Sequence, residues 1–203
     1  MTLKRITPPA FQPATLAELR LQIRADSGIT DEDGMLTMLI DVASQECEHR
    51  LGRAIMPATW ERVLDDFPAV ELELGLPQVQ SITSVAYLDT AGAAQTLSPA
   101  AYYLDADSDG GRGWVLPAAG YTWPETADAA NAVRARFVAG YAPASATESA
   151  QRAAVPASVR QWILLRAATL YKYREEVAAG FSVVVAVPGF ADRLLDAEKV
   201  WSA

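Results

Sequence analysis

The spacing of apolar residues changes twice along this chain, and that change constrains the fold more than any other feature of the sequence. From residue 15 to 52 apolar residues recur every three or four positions, which predicts helices, and the same spacing returns after residue 155. Between about 57 and 141 they fall in short runs that alternate with polar residues, as at 70–74 and 133–137. Such alternation indicates strands with one packed and one solvated face.

The order of these zones predicts an α+β protein. Neither helical zone buries its apolar stripe alone, so the two are expected to pack into a helical core of about four helices. The middle zone is expected to form an inserted small antiparallel β subdomain, a sheet or barrel of about six strands. The predicted boundaries are 1–56 for the N-terminal helices, 57–143 for the β subdomain, and 144–203 for the C-terminal helices and a neighbour-binding segment.

The first helical zone carries end signals. Thr15 and Glu18 have the spacing of a capping box, which predicts a helix that starts after Thr15. Thr30 or Asp31 is expected to cap a second helix, and Gly52 stands where a helix ends in a left-handed residue. The apolar stripe of the second helix comprises Leu36, Leu39, Ile40, Ala43, Cys47 and Leu51.

The sequence after the β zone is expected to begin with a loop and to end in two helices. The stretch ASATESAQRAA, from Ala144, consists of small residues typical of a linker. Pro156 suits the first turn of a long helix that is expected to reach about Glu176. A short final helix is expected from about Ala191 to Trp201.

Composition limits the classes of partner. The chain has a formal net charge of −8 and a sequence pI of about 4.7, and its Lys and Arg residues are scattered along the sequence. Such a chain should repel DNA unless its charges are strongly segregated. The single cysteine, Cys47, excludes an intrachain disulfide and indicates a reducing compartment. No secretory signal is evident, and the longest apolar run, 177–187, is shorter than the ~20 residues of a membrane span, so a soluble protein is expected.

The stretch DADSDGG, residues 105–111, has two interpretations. Asp105, Asp107 and Asp109 alternate as in the opening of an EF-hand calcium loop, but the twelfth position, which should be a glutamate, is Leu116. The flanking runs have strand patterns, and Asp and Gly suit a tight hairpin tip. A hairpin tip is the favoured interpretation, and a weak cation site at the three carboxylates is the alternative.

Enzyme signatures are absent from the sequence. It contains no phosphate-binding loop, no nucleophile elbow and no zinc-protease motif, and with one His and one Cys most nucleophilic and zinc chemistries lack their parts. Cys47 lies on a predicted buried stripe and His49 near a helix end, so both have structural explanations. No catalytic residue, cofactor or metal is expected, although a site built from carboxylates alone is not excluded.

The run GFSVVVAVPG, residues 180–189, is the strongest candidate for an interaction segment. It is apolar, rich in β-branched residues and bracketed by glycines. A run of this kind is either a buried strand or a segment that packs on another subunit, because exposed on a monomer it would promote aggregation. Both readings stay open.

Motifs spread over most of the chain resemble one known family. They are L-x-E-L-R from Leu16, D-E-D-G-M-L-T-M-L-I from Asp31, P-x-V-x-S-I-T-S-V-x-Y-x-D from Pro77, Y-Y-L-D from Tyr102, F-V-A-G-Y from Phe137, V-P-A-S-V-R-Q-W-I-L-L from Val155, and Y-x-x-R-E from Tyr171. In order and spacing the chain resembles the head–tail connector proteins of tailed phages, the gp6-like or gp8-type neck adaptors. The Ala-rich stretch from Ala144 and the VVVAV run depart from the pattern.

The resemblance implies a few helices carrying a β insertion, no enzymatic activity and no cofactor. It implies a homo-oligomeric ring, commonly of twelve copies, that docks on the portal protein and receives a stopper or tail-terminator protein on its other side. Double-stranded DNA would pass through the lumen without specific binding. The protein would be part of the neck of a virion or gene transfer agent, assembled in the bacterial host cytoplasm, with no contact to a membrane.

The resemblance also implies that the C-terminal segment reaches the portal. The candidate interface residues are Phe181, Val183, Val184, Val185, Val187, Phe190, Leu194 and Trp201. The alternative functions are a stopper or tail-completion protein of the neck and, from another class, a calcium-dependent interaction module that uses DADSDGG.

Overall fold

A computed structural model describes residues 2–25, 30–106, 112–173, 189 and 191–200. The chain divides into two compact units, which we call the sheet unit (residues 1–11 and 53–151) and the helical unit (residues 12–52 and 152–203). The strands are β1 (Thr2–Thr7), β2 (Ala58–Leu64), β3 (Leu72–Glu73), β4 (Val79–Leu88), β5 (Ala94–Thr96), β6 (Tyr102–Asp105), β7 (Trp114–Pro117) and β8 (Val133–Ala139). The α-helices are α1 (Leu16–Ile23), α2 (Asp33–Leu51), α3 (Glu148–Ala154) and α4 (Ala157–Lys172), and 3-10 turns lie at Pro99–Ala101 and Asp192–Leu195. The mixed class, with four helices and antiparallel sheets, is confirmed.

The sheet unit contains a five-stranded sheet, in the order β1-β2-β8-β4-β5, and a three-stranded sheet, in the order β3-β7-β6. Every pairing is antiparallel. The strand β8, last in the chain, lies between β2 and β4, so the larger sheet depends on pairings between distant segments. The predicted β zone contains seven described strands, β2 to β8, where about six were expected, and β1 lies outside it.

The predicted alternation is confirmed in β8. Val133, Ala135, Phe137 and Ala139 are buried in one apolar core with residues of the smaller sheet, whereas Arg134 and Arg136 are exposed. The sequence alternates over residues 70–74, but the strand there is shorter. β3 consists only of Leu72 and Glu73, which pair with Val115 and Trp114. Val70, outside the strand, is exposed.

Gly140, immediately after β8, allows two backbone segments to approach each other. A Cβ at this position would lie 2.7 Å from the nitrogen of Pro57 and 2.8 Å from the carbonyl carbon of Met56. No side chain fits in that space, because the neighbouring atoms belong to the backbone. The glycine of the F-V-A-G-Y motif is therefore required by packing.

The strand β1 was not predicted, because residues 1–56 were expected to be helical. It pairs with β2 at the edge of the larger sheet, with an irregularity between Arg5 and Thr7. Its residues are exposed apart from the half-buried Leu3. An edge strand that buries so little has no alternation strong enough to read from the sequence.

The helical unit contains α1, α2 and α4, which contact one another pairwise. The capping box is confirmed, since Glu18 N donates to Thr15 Oγ1 (3.1 Å) and Thr15 N donates to Glu18 Oε2 (2.7 Å). Gly52 ends α2 in the left-handed conformation, as predicted. The predicted cap of α2 was wrong: the helix starts later, at Asp33, with Glu32 as its N-cap and no side-chain hydrogen bond there.

Three further sequence predictions need correction. The Ala-rich stretch contains the helix α3, which is held by Gln151 Nε2 donating to the carbonyls of Ala144 (3.2 Å) and Ala146 (2.9 Å). Pro156 is the N-cap of α4 and precedes its first turn. The predicted final helix is a single 3-10 turn, Asp192–Leu195, followed by turn residues. Glu176 and Trp201 lie outside the described residues.

Candidate assembly surfaces

Most of the predicted interface residues lie outside the described part of the chain. These are Phe181, Val183, Val184, Val185, Val187, Phe190 and Trp201. Leu194 is described, and it lies half-buried in the 3-10 turn Asp192–Leu195. The structure describes α4, which precedes the segment in the chain, and the 3-10 turn that follows it.

The 3-10 turn is fixed to the helices of its unit by one aspartate. Asp192 Oδ1 accepts a hydrogen bond from Trp162 Nε1 on α4 (3.1 Å), and Asp192 Oδ2 pairs with Arg50 Nη1 on α2 (3.1 Å). The Arg50 guanidinium also lies over the Trp162 ring, 5.5 Å from its centroid. An aromatic ring, a cation and an anion thus stabilise the turn against both helices.

Two further contacts hold the C-terminal stretch on α2. Leu195 is buried, and Val200 N donates to the carbonyl of Leu51 at the C-terminus of α2 (3.0 Å). That carbonyl is one of the last four of the helix, which have no partner within the helix. The stretch 191–200 is therefore an integral part of the helical unit.

Ion pairs connect the long helices to each other. Glu46 on α2 accepts from Arg166 Nε on α4 (2.6 Å) through one carboxylate oxygen and from Arg50 (3.0 Å) through the other. Arg160 on α4 pairs with Glu18 on α1. Burial alone would raise the pKa of Glu18, but hydrogen bonds from Thr15 and the charge and hydrogen bond of Arg160 outweigh it, so this pKa lies below its ordinary value.

The helical unit also exposes large apolar side chains. Leu21 on α1 is 80% exposed, and Met38 and Val42, one turn apart on α2, are 55% and 44% exposed. Tyr173, which follows α4, is 44% exposed. Single exposed apolar residues are common on protein surfaces, so only Leu21, which has the highest exposed fraction of these four residues, stands out.

The hairpin interpretation of DADSDGG fits the strands on its two sides. Asp105 ends β6 and is the register partner of Trp114, the first residue of β7, and Leu116 lies within β7. An EF-hand needs a helix on each side of its loop, so the EF-hand interpretation is wrong. Asp107 and Asp109 lie outside the described residues, and among those described no group of three or more His, Cys, Asp or Glu side chains could hold a metal ion.

The single thiol and the single imidazole lie on the same helix in different environments. Cys47 is buried on α2, and desolvation raises the pKa of its thiol to about 12, so it is almost wholly protonated at neutral pH. His49 is exposed in the last turn of α2. Both residues lie as predicted.

An open cleft of about 450 Å³ in the sheet unit is lined by short polar and small side chains, among them Asp65, Asp66, Thr126 and Asp128. Its carboxylates accept hydrogen bonds locally: Asp65 from Asn131 N and Asp66 from Thr126 Oγ1, both at 2.7 Å. These contacts fix the loop before β8. Across the described ranges, no helix is long and apolar enough to cross a membrane.

Five basic residues of the sheet unit, scattered along the sequence, lie on the adjacent strands β1, β2 and β8. The strand register places Lys4, Arg134 and Arg136 on one face of the sheet, and we call these three residues the basic strip. Arg5 and Arg62, the register partners of Trp60 and Ala135, lie on the opposite face. The sequence hides the strip because its members come from segments more than 50 residues apart. Only the order of the strands brings them together.

Comparison with known proteins relates this fold to particle structures. No family model matches the sequence, and no curated protein matches it. A chain in the virion of a native gene transfer agent (GTA) particle matches with a TM-score of 0.77 and 22% identity, over 100% of this chain and 97% of that chain. A chain in the neck of an empty GTA particle, computed with C6 symmetry, matches with a TM-score of 0.77 and 24% identity over the same shares.

A third match comes from the neck of a native GTA particle computed with C12 symmetry. Its TM-score is 0.70 and its identity 19%, again over 100% of this chain and 97% of that chain. At these identities the comparisons establish a shared fold along the whole chain. The three matches extend over both units, so this chain and those GTA chains share the fold of both units.

Proposed function

We propose that this protein is a structural component of the neck of a tailed-phage-like particle, either a phage or a gene transfer agent. The observation that carries the proposal is the fold shared over 100% of this chain with a chain from a GTA neck. The motifs that resemble head–tail connectors are a second, independent line of support.

Within the neck, the role that fits best is the adaptor ring beneath the portal. The related GTA necks were computed with C6 and C12 symmetry, as expected for rings. A ring of twelve copies, each with a formal charge of −8, would carry DNA through its lumen without binding it tightly. A stopper or tail-completion role differs in the neighbour that the ring contacts.

The proposal assigns the apolar run 180–189 to contacts with the portal or with the next copy. The 3-10 turn that follows the run in the chain is fixed to the helical unit by Asp192, Trp162 and Arg50. Val184→Asp is expected to weaken ring formation or portal docking while the subunit still folds. Val70→Asp, at a valine that is 64% exposed, is the matched control and should assemble normally. Normal assembly of Val184→Asp would exclude the run as an interface.

Co-expression with the portal protein of the same particle tests the function itself. Electron microscopy of the purified mixture should show a ring of this chain on the portal, and particles that lack the chain should be filled heads without tails. Binding to a tail-side ring but not to the portal would favour the stopper or tail-completion role. A chain that stays monomeric with both partners, and whose loss leaves particles intact, would refute a neck function.

A further inference from the structure

The sheet unit is strongly polarised in charge. Its residues include seven Lys and Arg and twelve Asp and Glu, and five of those seven cations lie on β1, β2 and β8, three of them in the basic strip. These three strands contain a single acid, Glu61. The strands therefore have a formal charge of +4, whereas the rest of the unit has a formal charge of −9. An acidic protein thus concentrates positive charge on three strands, and the basic strip lies on one face of them.

The three cations of the strip surround Glu61 on one face of the sheet. Lys4 and Arg136 are the register partners of Glu61 on β1 and β8, and Arg134 lies two residues before Arg136. Phe137 and Ala135 are buried on the opposite face, so these cations point away from the core of the unit. They form a compact group across three neighbouring strands.

Glu61 holds the two arginines in place without covering them. The residue Glu61 is 4% exposed, and its carboxylate pairs with Arg136 Nε at 2.7 Å and with Arg134 Nη1 at 3.9 Å. The arginine side chains remain 49% and 55% exposed. A guanidinium has five N–H donors, so each arginine keeps donors that point to solvent in a fixed orientation. Fixed donors lose little conformational entropy on binding a second carboxylate.

We propose that the basic strip is a subunit contact that docks on the acidic surface of a second copy of this chain. The inference rests on the proposed ring and names the kind of surface that closes it. A ring requires head-to-tail contacts between two different patches. Segregated charge supplies two such patches on every copy, since the remainder of each chain is strongly acidic.

Charge also favours a second copy over duplex DNA as the occupant. The whole chain, at −8, repels a duplex at long range, and the carboxylate of Glu61 stands in the middle of the strip where a phosphate would have to lie. A protein carboxylate needs only one or two of the outward N–H groups. Arginine is also enriched at protein interfaces because its planar group binds carboxylates through two parallel hydrogen bonds.

Zero-length cross-linking of amines to carboxylates tests this contact directly. The chain has three lysines, Lys4, Lys172 and Lys199, and of these Lys4 alone belongs to the sheet unit. A mixture of light and heavy-isotope chains distinguishes links between copies from links within one copy. We expect Lys4 to form links between copies, in rings on the portal and with the chain alone at millimolar concentration. High salt should suppress these links.

Two neutralising variants define the contribution of the strip. Arg134→Gln keeps the Arg136–Glu61 pair, so the fold should be retained while links from Lys4 between copies fall at least about threefold, a loss of about 0.7 kcal/mol at RT of about 0.6 kcal/mol. Arg136→Gln should reduce them further. Arg112→Gln, which removes an arginine paired with Glu73 away from the strip (3.7 Å), is the matched control and should leave them unchanged.

Each result decides the inference. Links from Lys4 that occur only within one copy, or links between copies that Arg134→Gln does not reduce, would overturn it, even where rings form and the proposed function stands. Failure of the chain to join the portal would instead count against the proposed function. Binding of a fluorescent duplex of about 20 base pairs that Arg134→Gln weakens, without Lys4 links between copies, would identify DNA as the occupant.

Discussion

The two units of this chain are held together by different forces. The sheet unit has a continuous apolar core, in which buried side chains of β8 meet those of the smaller sheet. The helical unit buries one stripe per helix and adds charged contacts between helices, such as Arg166 with Glu46 and Arg160 with Glu18. The ion pairs of the sheet unit include those of Arg134 and Arg136 with Glu61, in which both arginine side chains stay about half exposed.

This difference indicates which perturbations each unit should sense. A close-packed interior responds to lost or added volume, because its neighbours relax only partly. A helical unit with ion pairs between its helices should also respond to pH and salt. The variants below separate the two behaviours, in order of decreasing effect on the free energy of unfolding.

Phe137→Ala should cause the largest loss. The side chain is fully buried in the core of the sheet unit, and its removal leaves a cavity that costs about 3–5 kcal/mol. Thermal unfolding followed by circular dichroism measures the change. A loss below about 1 kcal/mol would mean that the core relaxes around the gap and that the sheet unit is not close-packed.

Gly140→Ala should be nearly as severe although it adds a single methyl group. The new Cβ would collide with the backbone of Met56 and Pro57, which have no side-chain freedom with which to move away, at a cost of about 2–4 kcal/mol. Gly92→Ala is the control, since its Cβ would meet nothing within 4 Å and its φ of +79° adds only about 1 kcal/mol of strain. Urea unfolding of the two variants should differ accordingly.

Glu18→Gln tests the charged contacts of the helical unit. Because the pKa of Glu18 is lower in the folded state than its ordinary value of 4.5, the ionised carboxylate stabilises the fold above that value, and this contribution disappears as the pH falls through the folded-state pKa. We expect a loss of about 1 kcal/mol at pH 7 and a smaller difference from the parent protein below pH 4. A difference that stays constant over this pH range would show that the carboxylate charge is irrelevant.

Leu21→Gln should have the smallest effect on stability. The side chain is 80% exposed, so the free energy of unfolding should change by less than about 0.5 kcal/mol. Leu19→Ala, at a fully buried neighbour on the same helix, is the matched comparison and should cost about 2–5 kcal/mol. A large loss in Leu21→Gln would reveal that this leucine is covered in solution.

Strong local signals in the sequence predicted the elements that bury one whole face or carry a specific end. The alternation in β8, the capping box at Thr15 and Glu18, and the left-handed Gly52 each act within a few residues, so their meaning does not depend on the rest of the fold. The hairpin around DADSDGG was predicted for the same reason. The buried state of Cys47 followed from the stripe on α2.

The missed features depend on contacts between distant segments. The strand β1 forms by pairing with β2, more than 50 residues later in the chain. The helix α3 is held by the side-chain amide of Gln151, which donates to a carbonyl in the preceding turn. The basic strip requires knowledge of which strands are neighbours, since Lys4 and Arg136 stand far apart in the chain. Its two arginines were visible in the alternation of β8, but their buried partner Glu61 was not.

The position of β8 has a consequence for synthesis of the protein. Because β8 separates β2 from β4, neither of those strands has its second neighbour until residue 139 has been translated. At about 5–20 residues per second, the early strands wait for several seconds on the ribosome with unpaired edges. Chains that stop before β8 should therefore be the ones that chaperones retain, so a nascent subunit commits to its β architecture late.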